Sequence, residues 1–186
     1  MPQELNFEAA QVVPGHVAST DLFGGTGAEA MERGAVFSPC RRYRYALHRV
    51  WEPASGVAMF VGLNPSTADE KADDPTIRRC IAFARAWGYG ALCMTNLFAY
   101  RATDPADMKK APDPIGWEND STLSAWAHDA GVVVAAWGAH GTYKRRDQSV
   151  RLLVPGLHYL RLTKDGHPGH PLYLPKNLQP VAWVNW

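Results

Sequence analysis

The sequence is poor in cysteine, nearly neutral overall, and free of long apolar runs. Its three cysteines, Cys40, Cys80 and Cys93, are widely spaced and form no Cys-x-x-Cys pair. Three scattered thiols cannot supply the four thiolates of an iron–sulfur cluster, so reduced and mostly buried thiols are expected. The formal net charge is +1 at pH 7. No global field therefore draws the chain to a polyanion, and nucleic-acid binding would need a local basic patch. No apolar run is long enough to cross a bilayer. The N-terminal stretch MPQELNFEAAQ has neither a basic start nor an apolar core, which argues against a secretory signal and for the cytoplasm. The stretch Gly24-Gly25-Thr26-Gly27 follows no strand, so a flexible turn is expected there rather than a phosphate loop.

What is present suits an ordinary globular protein. The 186 residues are 46% hydrophobic and 20% charged, enough for one domain with a substantial core. Seven tryptophans offer core bulk or flat stacking surfaces. Residues 1–34 hold no sustained period and read as a peripheral segment; residues 35–186 read as a single α/β domain. Between Ala35 and Trp51 the alternation of Val36, Phe37, Tyr43, Tyr45, Leu47, His48 and Val50 suggests a β-hairpin or a pair of strands. Its segment Cys40-Arg41-Arg42-Tyr43-Arg44-Tyr45 interleaves basic and aromatic residues. That mix fits either a nucleic-acid backbone or a half-buried strand with a solvated Arg face.

Beyond it, apolar runs alternate with helical periods. Strands are expected at Val57–Leu63, Ala91–Phe98, Val132–Trp137 and Leu157–Thr163, and helices at Pro75–Trp87, Glu118–Ala130 and Asp147–Leu153. This pattern predicts a three-layer α/β/α fold around a central, mainly parallel four-stranded sheet, with the N-terminal hairpin region alongside.

Ligands of such sheets sit beyond the carboxyl ends of the strands. Those ends here carry Asn64, Asn96, His140, and His167 with His170. Each has a plainer reading. Asn64 before Pro65 can simply shape a turn, Asn96 can cap a loop, and the histidines can be ordinary loop residues. His140, His167 and His170 could also be metal ligands, although no metal or other cofactor is expected. Asp69, Glu70, Asp73 and Asp74 read as helix-start charges rather than a Mg²⁺ site. Lys144-Arg145-Arg146 is either a solvated face or a phosphate contact.

The ordered motifs resemble those of the uracil-DNA glycosylase superfamily. Gly62-Leu63-Asn64-Pro65-Ser66 resembles its first loop, in the form used by the mismatch-specific branch. Leu92-Cys93-Met94-Thr95-Asn96, Val134-Ala135-Ala136-Trp137-Gly138 and His167-Pro168 resemble the later strands and the closing loop. The resemblance implies that fold and an N-glycosidic hydrolase acting on a uracil-like, mismatched or modified base in DNA. It implies His167, or His170 in its stead, as the donor to the leaving base, and Asn64 as the residue that positions water. Base contacts would come from Gly62, Leu63, Ser66, Asn96 and Phe98, with Asn96 reading the base edge. Arg41, Arg42, Lys144, Arg145 and Arg146 would meet the nucleic-acid backbone, and Leu172 and Tyr173 would wedge the strand. Asn64 stands where the most active branch has a carboxylate, which implies weaker activation of water; Ser66 replaces a Tyr, which implies a wider pocket. The stretches GLNPSTADE, DDPTIRRC, NLFAYRATDP and GHPGHPLYL resemble more closely a bacterial and phage family without assigned activity, domain-of-unknown-function family 1643. The implied partner is single-stranded, mismatched or modified DNA, or a nucleotide-type small molecule, bound by a monomer away from membranes. A base-binding module without chemistry, or a different reaction on the same scaffold, are the alternatives.

Overall fold

The computed structural model describes residues 31–184, so the expectations for residues 1–30 fall outside the described part. The strands are β1 (Glu32–Phe37), β2 (Arg44–Val50), β3 (Val57–Gly62), β4 (Ala91–Asn96), β5 (Val132–Ala135), β6 (Leu157–Tyr159) and β7 (Val181–Ala182). The helices are α1 (Pro75–Ala86), α2 (Pro105–Lys110), α3 (Asn119–Asp129) and α4 (Arg146–Leu153). All seven strands form one mixed sheet in the order β1-β2-β4-β3-β5-β6-β7. Neighbours among β4, β3, β5 and β6 run parallel, while β1, β2 and β7 join antiparallel.

The expectation of a four-stranded sheet with a hairpin beside it is therefore corrected: the hairpin extends the sheet itself. This changes what β2 is. It lies between β1 and β4 rather than at an edge; of the arginines in the basic segment, Arg41 and Arg42 precede it and are exposed, while Arg44, inside it, is not. Arg44 and Arg49 are both buried. Arg49 is paired with Asp73 at 2.8 Å and donates to the carbonyls of Gly34, His48 and Asp69. A buried cation survives when it is paired and its donors are used, as here.

Alternation along the strands sorts the core into two layers. Phe60, Leu92, Met94 and Val134 face α1, where Ile77, Cys80, Phe83 and Ala84 meet them. Met59, Cys93, Val133 and Ala135 face the other way, against Leu123 of α3 and Val150 of α4. Local sequence explains the start of α1. Asp74 accepts a hydrogen bond from the Ile77 amide at 2.9 Å, and Pro75 opens the first turn. α2 and β7 had not been expected; at six and two residues they are too short to show a period. Among the described residues no helix is long and apolar enough to cross a membrane.

A candidate binding cavity at the strand ends

The strand alternation delivers Gly62, Asn96 and Ala136 to the α1 face where β3, β4 and β5 end. There they help line a cavity of about 510 Å³, within the usual range for small-molecule sites. Asn64 and Ser66 enter from the loop after β3, Gly138 and His140 from the loop after β5, and His170, Leu172 and Tyr173 from the closing loop. Of the expected site residues, Asn64, Asn96, His170, Gly62, Leu63, Ser66, Leu172 and Tyr173 thus converge.

Asn96 is the most constrained of them. It is 3% exposed, and its Nδ2 is buried without a hydrogen-bond partner among the described residues. An unpaired buried donor costs about 1–3 kcal/mol, so it marks a position that a ligand acceptor would satisfy. Its own strand end is held rigidly. The Asn119 amide donates to the carbonyls of Asn96 and Leu97 at 3.1 and 3.0 Å. Gly62 is needed beside it, because a Cβ there would stand 2.8 Å from Asn96 Oδ1. The Asn64 amide is oriented by donating to the carbonyls of Ala102 at 2.7 Å and Pro65 at 3.2 Å. Its Oδ1 is thereby the atom left to accept from water or ligand.

His170 accepts a hydrogen bond on Nδ1 from the Leu172 amide at 3.4 Å. That contact selects the tautomer with hydrogen on Nε2, a neutral donor. Burial lowers its pKa below the ordinary 6.5, against the pull of Asp74. His48 is likewise lowered by burial. Because the unfolded chain binds these protons more readily, stability should fall as pH drops below 6.5. His170→Gln and His48→Gln should each remove part of that acid-side loss in pH-dependent urea unfolding; unchanged profiles in both would contradict the assignment. The closing turn Pro171–Tyr173 is anchored to α1 by Arg79, which donates to the carbonyls of Pro171 and Leu174. It leaves Tyr173 82% and Leu172 38% exposed at the rim.

Other expectations are corrected. His167 does not line the cavity; its amide is tied to Thr163 Oγ1 at 3.2 Å. Phe98 is wholly buried in the core beside Tyr143, so it cannot touch a base in the cavity. Arg146 is also buried, donating to the Leu97 carbonyl at 2.8 Å and pairing with Asp120. It clamps the end of β4 instead of meeting phosphate. Arg41 is exposed but paired with Glu70 at 2.9 Å, while Arg42, Lys144 and Arg145 are exposed. Asp69 and Asp73 are engaged locally, by the amides of Lys71 and Ala72 and by Arg49 and Arg33. Among the described residues no group of three or more His, Cys, Asp or Glu side chains could hold a metal.

Sequence reasoning missed the two lining residues that carry a full charge, Arg44 and Asp74. No local pattern marks Arg44; its placement comes from a register slip in the strand pairing, where Val36 pairs with Ala46, yet Phe37 pairs with Arg44, leaving Tyr45 as an extra residue. Such a bulge reverses which face each side chain takes. Arg44 is thereby turned onto the α1 face, where its Nη1 donates to the Ala68 carbonyl at 2.5 Å.

The chain matches no curated protein and no solved structure, so neither comparison supports the resemblance to glycosylases. A family model does match residues 44–172, well over half the chain, and covers every strand end that builds the cavity. The chain belongs to the family described as Protein of unknown function (DUF1643).

Proposed function

We propose that the cavity binds a nucleobase and that the protein hydrolyses an N-glycosidic bond to a uracil-like, mismatched or modified base. The observation that carries this reading is the unpaired, buried Asn96 amide in the wall of a cavity shared with Asn64 and His170. A carboxamide pairs with both a carbonyl and an N–H of a pyrimidine edge, so one planar base can satisfy it.

The chemistry follows from the same residues. Breaking the C1′–N bond sends its electron pair into the base, where negative charge grows on a ring carbonyl. His170 Nε2–H donates to that oxygen, a donor whose value is largest once the charge has formed. Water held by Asn64 Oδ1 adds to C1′, and its proton needs an acceptor that an amide cannot be. Asp74 is the one carboxylate lining the cavity among the described residues, and it supplies that acceptor. The products are free base and the sugar hemiacetal. Leu172 and Tyr173 at the rim suit insertion into a strand from which a base has been withdrawn. Exposed Arg42, Lys144 and Arg145 suit phosphate contact.

The test is release of free base in single turnover from DNA carrying uracil, hypoxanthine, mismatched thymine or modified pyrimidines, alongside the matching free nucleotides. Release from one of these, with Asn96→Asp changing which base is accepted, is the expected result. No release from any substrate, with no binding of any base, would sink the reading.

A further inference from the structure

Arg44 is 2% exposed and lines the cavity, yet it has no ion-pair partner among the described residues. Its Nη1 is spent on the Ala68 carbonyl, and its Nε is buried with no partner among the described residues. Burial lowers its pKa to about 10; Asp74 is the main opposing influence, but its Oδ1 caps Ile77 and it forms no ion pair with Arg44. The contrast with Arg49, paired and bonded on the same strand, is direct. A buried guanidinium with its Nε side unused is costly in the empty protein and matches an oxyanion that accepts two parallel hydrogen bonds. The β-bulge at Tyr45 is what brings it to the cavity.

We infer that Arg44 forms an oxyanion subsite of the cavity, taking the phosphate of a nucleotide-type ligand whose base lies at Asn96. Thr76 and Ser66 line the same cavity and bring hydroxyl donors for the further oxygens of a tetrahedral anion. The base half of this ligand rests on the function proposed above; the phosphate half stands on Arg44 alone.

The experiment is calorimetric titration of the full chain with inorganic phosphate at constant ionic strength, with acetate and chloride as controls, on wild type, Arg44→Met and Asp74→Asn. Saturable binding of phosphate to wild type is expected, weakened at least about tenfold in Arg44→Met. Asp74→Asn keeps the helix cap, since Asn caps as well as Asp, and removes a nearby negative charge. It should bind phosphate more tightly. No phosphate binding beyond the chloride control, or equal binding by Arg44→Met, overturns the subsite; binding of acetate in place of phosphate overturns the phosphate assignment. Should Arg44→Met fail to fold, phosphate affinity unchanged or weaker in Asp74→Asn overturns it. Phosphate carries no base, so phosphate binding with no preference among nucleobases would defeat the base reading and leave this one standing.

Discussion

His170→Ala should slow release of free base by roughly 100- to 1,000-fold in single turnover, the usual loss for one donor that acts on transition-state charge. Its Nδ1 takes the Leu172 amide and its ring packs on Tyr173 at 5.5 Å, but the closing turn is also held by Arg79 on α1. Ground-state affinity for base should therefore change much less than the rate. His167→Ala should be nearly silent, because His167 lies outside the cavity. Equal rates for His170→Ala and wild type would remove the donor role, and a large loss in His167→Ala would mean that the closing loop rearranges around substrate.

Asp74→Asn should lower the same rate by about 100-fold or more, as expected for loss of a proton acceptor. Asp74 caps α1 by accepting from the Ile77 amide, and an Asn oxygen can accept the same bond, so the cap should hold. Its charge also favours the buried Arg44 cation, so a modest fall in melting temperature is expected, and the rate is to be measured well below it. A variant as fast as wild type would place water activation elsewhere or exclude hydrolysis. Asn64→Ala should cost less in rate, since it orients water without taking its proton. It also frees the Ala102 carbonyl that Asn64 now holds, so part of its effect should appear as reduced stability.

The core alternation was legible because it is written in local chemistry. Val57–Gly62, Ala91–Asn96 and Val132–Ala135 are apolar runs bounded by Gly, Pro or Asn, and Asp73-Asp74-Pro75 announces α1. The convergence of Asn64 and Asn96 was legible too, because parallel strands place their carboxyl ends on one rim. The failures share a different cause. Arg44 and Arg146 each looked like surface charge, and each is buried, as is Arg49. What holds them inside is tertiary: the Ala68 carbonyl reaching Arg44, Asp73 reaching Arg49, and the Leu97 carbonyl reaching Arg146. Phe98 was expected to close its strand, but the strand stops at Asn96 and Phe98, two residues on, turns into the core. His167 and His170 are three residues apart in one loop, and only the turn Pro171–Tyr173 with its Nδ1 contact selects between them. The bulge that turns Arg44 depends on strand pairing between β1 and β2, which no local pattern encodes.

The Asn96 amide gives the most direct measurement. Isothermal titration of wild type and Asn96→Leu with free uracil, thymine, hypoxanthine and cytosine separates base reading from every question of catalysis and phosphate. Asn96→Leu removes a buried donor with no partner, so the free protein should be no less stable than wild type. The expected result is saturable binding of one base by wild type and its loss in Asn96→Leu. No binding of any base by wild type, or equal binding by the variant, would contradict a nucleobase site in this cavity.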